Sequence, residues 1–210
     1  MKDIERFITG FRTFQKDYFG PEGSQFEKLK QGQSPKTMIV GCSDSRVDPA
    51  ILTNCAPGDI FTVRNVANLV PPCQQDGGQH GVSAALEFAV CHLGVEHIIV
   101  LGHSQCGGIN ALMAGSCGCA GDVFISGWMS IATPVREKVL AELPDKDSKL
   151  QQRAAEQAAI LLSVENLHSF PFIDERVTAG ALSLHGWYFD IAAGELLEYL
   201  PVCNLFKKLR

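Results

Sequence analysis

The sequence predicts an α/β fold, with a mainly parallel central sheet flanked by helices, an antiparallel edge strand near the C-terminus and an N-terminal helical arm. Three observations carry this. Short apolar runs, "TMIV" at 37–40 and "HIIVL" at 97–101, alternate with stretches of helical periodicity, as expected of parallel strands buried on both faces. Each run closes on a glycine followed by chemistry-bearing residues, Gly41-Cys42 and Gly102-His103. The tail "GALSLHGWYFDIAAGELLEYL" reads as two strands around an "AAGE" turn, an antiparallel addition to a sheet.

From the N-terminus, Ile4, Phe7, Ile8, Phe11 and Phe14 fall at helical spacing among charges, which predicts an amphipathic helix over about 3–18. A second short helix follows over about 22–31. "TMIVGCS" is the first buried strand, and "DIFTVRNVAN" the next, introduced by the "PGD" turn at 57–59. "HGVSAALEFAVCHLG" is a helix with Gly94 as its C-cap. "EHIIVLGH" repeats the design of the first strand. "SQCGGINALMAG" is a glycine turn feeding a short helix, and residues 123–141 and 149–168 are helical. Neither a repeat nor a linker interrupts the chain. It reads as one domain, 1–210, whose residues 1–32 form the arm.

The 210 residues suffice for one well-buried core. A formal charge of −5 argues against nucleic acid or an anionic membrane as the main partner, since phosphate binding needs a basic surface. The charged N-terminus lacks the uninterrupted apolar stretch of a signal peptide, so a cytoplasmic location is expected. In that setting the eight cysteines point to metal binding or buried thiols in preference to disulfides. Cys55, Cys91 and Cys203 read as packing residues. Cys117 and Cys119 fall in a Gly-rich loop and are assigned no role.

Ligands in α/β sheets bind outside the carboxyl ends of strands. The clusters "CSDSR" and "HSQC" both fall there. If the two strands are neighbours, Cys42, Asp44, His103 and Cys106 converge as a four-ligand set suited to tetrahedral zinc. His103 and Cys106, three apart, can both face inward across a turn; Cys42 and Asp44, two apart, project the same way on extended chain. Arg46 argues against a closed structural site. Its guanidinium can hold the Asp44 carboxylate through paired hydrogen bonds, and a departing Asp44 opens the fourth metal position to water, whose pKa the metal lowers. Two thiolate ligands leave that water less acidic than three imidazoles would, so alkaline pH should favour activity.

At these residues the sequence resembles the β-class carbonic anhydrases, zinc lyases that interconvert carbon dioxide and bicarbonate. The stretches "GCSDSRVDP", "PGDIFTVRNVANLV", "GVSAALEFAV", "IIVLGHSQCGG" and "LHGWYFD" carry the resemblance, which spans about 33 to 190. It implies one Zn2+ per chain on Cys42, His103 and Cys106, with Asp44 as displaceable fourth ligand and Arg46 as its partner. In the open state a zinc-bound hydroxide would be aimed at carbon dioxide by Asp44. Gln33 matches a glutamine that hydrogen-bonds substrate, Phe61, Val66 and Phe88 match the apolar wall around it, and the Gly107 N–H would contact a substrate oxygen. Position 88 is Phe where some relatives carry Tyr. Ile39 and Phe189 stand where a self-regulating subgroup has a tryptophan and a tyrosine, so that subgroup's second bicarbonate site is not expected despite Arg64. Members are homodimers or multiples of dimers whose N-terminal helices embrace a neighbour. Hydrolysis of carbon disulfide or carbonyl sulfide at the same site, a bicarbonate-sensing zinc module, and a thiol redox protein are the competing readings. Joint retention of Gln33, Asp44 and Arg46 favours catalysis over sensing.

Overall fold

The computed structural model describes residues 2–19, 25–115 and 123–209. These form two compact units, Met1–Ser34 and Pro35–Arg210. In the first, α1 (Lys2–Phe19) carries Asp3 and Glu5 in its first turn and Lys16 in its last, which suits the helix dipole. The short α2 (Gln25–Leu29) places Phe26 in an aromatic cluster, 5.6 Å from Phe14 and 4.6 Å from Phe19 between ring centroids. Ile4, Phe7, Ile8 and Phe11 remain exposed. Residues 22–24 of the expected second helix lie outside the described residues.

The second unit is built on one six-stranded sheet in the order β2-β1-β3-β4-β5-β6. Its strands are β1 (Thr37–Cys42), β2 (Ile60–Asn65), β3 (His97–His103), β4 (Ser183–Asp190), β5 (Glu195–Leu200) and β6 (Leu205–Lys208). β1 pairs in parallel with both β2 and β3, and β3 with β4. β5 and β6 are antiparallel additions. The C-terminal edge therefore has two antiparallel strands where one was expected, and the first strand of the tail joins the parallel part. β2 is shorter than the run "DIFTVRNVAN" suggests. The chain leaves the sheet at Val66–Asn68 because Ala67 and Asn68 take left-handed conformations (φ 63° and 48°), which no continuing strand tolerates.

Helices follow the expected alternation, with α3 (Pro49–Thr53) and α9 (Pro171–Thr178) added. The helix ending at Gly94 starts as α4 (Gly81–Glu87) and widens into one π turn, Phe88–Leu93. The segment 123–141 is α6 (Val123–Met129) and α7 (Thr133–Glu142), separated by a tighter turn. α5 (Gly107–Met113) follows β3, and the long α8 (Ser148–Leu167) packs across β3 and β4. Close approach of α8 requires Gly102: a Cβ there would come within 2.7 Å of Ile160 Cδ1 and Cγ1. Burial of Met38, Val40, Ile98, Val100, Ile160 and Tyr188 forms the core on this side, with hydrophobic transfer as its main stabilisation.

The packing expectation for three cysteines is corrected. Cys91 and Cys203 are exposed and Cys55 only half-buried. On the π turn it is Val90 that faces the core, which turns Cys91 outward. Cys203 lies in the turn between β5 and β6, where Val202 is exposed as well. Cys117 and Cys119 lie outside the described residues.

Candidate metal centre

Cys42 ends β1 and His103 ends β3, two paired parallel strands, so both side chains leave the sheet at its carboxyl edge. The chain then turns through Gln105, held left-handed at φ 60°, and returns Cys106 to the same point as the residue preceding α5. The sulfurs of Cys42 and Cys106 and a ring nitrogen of His103 all lie within 4.8 Å of one another, and all three residues are buried. This convergence depends on Gly108, where a Cβ would meet Val66 Cγ1 at 2.8 Å and Ala67 Cβ at 3.2 Å.

The donor set fits a metal ion. His103 Nδ1 lies 2.9 Å from the Ser104 carbonyl oxygen, to which it donates, leaving the Nε2 lone pair facing the sulfurs. Nε2 is buried and has no hydrogen-bond partner. An orphaned buried nitrogen costs about 1–3 kcal/mol, a cost that coordination removes. The two thiols titrate as a pair. Cys42 is lowered to about 4, first because Cys106 donates to it and then because His103 stands beside it, against the opposing effect of burial. Cys106 is pushed far up by the same contact and by burial. These opposite shifts describe one event: the first proton leaves the sulfur pair readily, and the second stays because two adjacent buried thiolates repel. A divalent cation could take the place of that second proton.

Asp44 stands beside this group and is paired with Arg46. Arg46 Nε donates to Asp44 Oδ1 at 2.9 Å, Nη2 donates to Oδ2 at 2.7 Å, and the Arg46 backbone N–H also reaches Oδ1 at 2.9 Å. These bonds, the side-chain ones above all, hold the Asp44 carboxyl far below the usual carboxylate range. Asp44 Oδ2 is 3.9 Å from His103 Nε2, adjacent to the donor cluster but too far to hydrogen-bond.

Several residues frame this geometry in roles that the motifs do not disclose. Arg64 on β2 donates to the Cys42 carbonyl, the Asp44 carbonyl and Asp48 Oδ2, each at 2.8 Å. It thereby fixes the turn that carries the acid. Asp48 in turn accepts the backbone N–H groups of Ala50 and Ile51 at the start of α3. Glu156 on α8 is buried and accepts from the Cys106 N–H at 3.1 Å, Gln152 Nε2 at 3.0 Å and the Tyr188 hydroxyl at 2.8 Å. The peptide joining Gln105 to Cys106 is therefore clamped at both ends, because Arg46 Nη2 donates to the Gln105 carbonyl at 3.1 Å. One sequence signal existed: Glu156 lies on the same helical stripe as buried Ile160, Ser163 and Leu167, an unusual position for an unpaired acid.

The expected substrate pocket is only partly assembled. Val66 lines an apolar cleft of about 600 Å³ with Asn65, Pro71, His80, Phe124 and Trp128. Trp128 Nε1 donates to the Val66 carbonyl at 2.7 Å, which fixes one wall. Phe61 and Phe88 form a tilted ring pair with centroids 5.8 Å apart, but they do not line this cleft, and Phe88 is 45% exposed. Open space surrounds the Cα of Gly107, and a Cβ added there would meet nothing within 4 Å. Gln33 is exposed and belongs to the N-terminal unit.

Comparison with known proteins matches this arrangement. Residues 37–196 match the family model described as carbonic anhydrase. The chain is 40% identical, over 180 residues and 86% of its length, to β carbonic anhydrase 5, chloroplastic, of Arabidopsis thaliana, and spans 59% of that relative. Among solved structures, the β-carbonic anhydrase CcaA superposes with a TM-score of 0.93 at 33% identity, covering 100% of this chain and 93% of that one. One of two tetrameric β-carbonic anhydrases of the ascomycete Sordaria macrospora superposes with a TM-score of 0.83 at 31% identity, covering 94% and 97%.

Proposed function

The chain belongs to the β-class carbonic anhydrase family, and we propose that it catalyses the reversible hydration of carbon dioxide to bicarbonate and a proton. The observation that carries this is the buried Cys42-His103-Cys106 cluster with its orphaned Nε2, set beside a carboxylate that has an arginine as alternative partner. Those three residues would hold one Zn2+. When bound, the metal supplies a hydroxide near neutral pH by acidifying water.

The remaining work falls to the chain's own groups. In the geometry described, Arg46 holds Asp44 away from the cluster and keeps its carboxylate ionised. Asp44 would accept a hydrogen bond at its free lone pairs and orient the donor toward carbon dioxide. Rotation of Asp44 off Arg46 would bring the carboxylate to the cluster, so the pair would act as a gate. Arg64 and the Glu156–Arg46 clamp keep the two motif loops in register during this exchange. Gln33, Phe61, Val66, Phe88 and the Gly107 N–H are proposed substrate contacts, with Gln33 brought to the site by assembly.

The proposed assembly is a homodimer or a multiple of dimers. The exposed Ile4, Phe7, Ile8 and Phe11 stripe supports an arm, residues 1–32, that packs on a neighbouring subunit. The proposed compartment is the cytoplasm, a reading supported by the placing of Cys42 and Cys106 as a metal-facing pair with His103. No helix among the described residues is long and apolar enough to cross a membrane.

The test is stopped-flow hydration of carbon dioxide together with metal analysis, on the wild type and Asp44→Asn. The expected outcome is about one zinc per chain in both, with hydration rising toward alkaline pH in the wild type and falling at least about tenfold in the variant. A zinc-loaded wild type without hydration activity across pH 7–9 refutes the proposal.

A further inference from the structure

Among the described residues, three polar histidine pairings lie outside the candidate metal centre. His80 sits against Asp76 and His168 against Asp174, each a partner close by in sequence. The third joins three strands. His97 opens β3, His185 lies on β4 and Glu198 on β5. His97 is in register with Ser183, and His185 with Ile99, so the two imidazoles are diagonal neighbours on one face of the sheet, within mutual reach. His97 Nδ1 lies 3.3 Å from His185 Nε2. On its far side, His185 Nδ1 faces Glu198 Oε1 at 3.2 Å, and Trp187 Nε1 donates to the same carboxylate oxygen at 3.4 Å.

From this geometry we propose that His97 and His185 form a second metal site, for a tetrahedrally bound Zn2+, with Glu198 as the carboxylate behind the ligand. Three features support it. First, the Glu198 carboxylate accepts the Nδ1–H of His185 and thereby fixes the tautomer whose Nε2 lone pair points at His97. A carboxylate or carbonyl behind a ligating imidazole is the usual companion of metal-binding histidines. Second, the spacing is one an ion can bridge: nitrogens bound tetrahedrally at 2.0–2.1 Å stand about 3.3 Å apart, the separation found here. Third, the rings converge. Their centroids are 5.4 Å apart with planes at 54°, close to the roughly 5.3 Å that two imidazoles on one tetrahedral ion would have. Imidazole donors select Zn, Cu, Fe and Ni over Mg or Ca. His97 is exposed and the side chain of His185 is 28% exposed, which leaves room for waters to complete the shell.

The site lies at the opposite end of β3 from His103, so occupancy there ties β3 to β4 without touching the catalytic group. The inference is independent of the proposed activity, because its test reads binding.

The experiment is calorimetric titration of the full-length protein, first dialysed to its one tightly held zinc per chain, with further Zn2+, and thermal melts in parallel. The wild type is expected to bind one further Zn2+ per chain and to melt higher with it than without it. His97→Ala and His185→Ala should each keep the first zinc and lose affinity for the second by tenfold or more. Glu198→Gln, which leaves both ligands in place, should weaken it about tenfold. Where an alanine variant folds poorly, His97→Gln serves in its place. Affinity for the second zinc within twofold of the wild type in either histidine variant, or no second zinc bound by the wild type, overturns the proposal.

Discussion

Glu156→Leu is the most informative single change outside the metal ligands. The carboxylate is buried and satisfies the Cys106 N–H, the Tyr188 hydroxyl and the Gln152 amide. Leucine leaves the first two donors in the interior without acceptors, at about 1–3 kcal/mol each. Part of this is offset, since a buried leucine side chain is worth about 1.5–3 kcal/mol. The net expectation is a loss of about 2 kcal/mol. For a chain of this size each kcal/mol moves the melting temperature by about 2–4 °C, so the zinc-loaded variant should melt about 4–8 °C below the wild type. Glu156→Gln keeps an oxygen for the Cys106 N–H and should lose about half as much. The two variants also separate packing from positioning. Without an acceptor on Cys106, the Gln105–Cys106 peptide is held only by Arg46, and Gln105 is free to leave its left-handed conformation, which costs about 1–3 kcal/mol to maintain. Hydration kcat should therefore fall in the leucine variant and recover largely in the glutamine variant, with zinc content unchanged in both. A leucine variant within about 1 °C of the wild type, with equal kcat, would refute the clamp.

Three further outcomes are expected. Gly102→Ala drives a methyl into Ile160 at 2.7 Å and should cost about 1–3 kcal/mol in denaturant unfolding; adding Ile160→Ala should give less than the summed loss, and strict additivity would show that the contact is not the cause. Asp190 is lowered despite its burial, because the Ala192 and Ala193 N–H groups and Arg153 all donate to it. A depressed carboxyl stabilises above its unfolded value, near 3.9, and the contribution is lost as pH falls through the folded value. Asp190→Asn should therefore melt below the wild type at pH 7 with the gap closing below about pH 4, and a constant gap would contradict this assignment. The double change Phe7→Glu and Phe11→Glu places charges on the exposed α1 stripe and should reduce the mass seen by light scattering; an unchanged mass would remove the arm from the interface.

What could be read from the sequence followed from local chemistry. The apolar runs before Gly41 and Gly102 read as strands because they are short, β-branched and ended by a glycine, and packing alone does not explain the spacing of the thiols and imidazole just beyond them. Adjacency of β1 and β3 is a different kind of fact. It depends on where β2 and β4 pair, so convergence of the ligands is conditional in the sequence and becomes definite only with the register Gly41↔Leu101. Features carried by distant partners stayed hidden for the same reason. Glu156 meets Cys106 across 50 residues of chain, and its helical stripe tells of burial but not of what it faces. Local rules also misled where backbone shape outweighed residue type. "VRNVAN" extends a segment that reads as one strand, yet the left-handed Ala67 and Asn68 end the strand, and beyond it Val66 approaches Gly108 and lines the cleft. "LFKK" is too short and charged to announce β6, which forms only because β5 offers an open edge. Sequence thus identified the groups that converge as a candidate metal site, while the groups that hold those loops in place became visible only through contacts made by the folded chain.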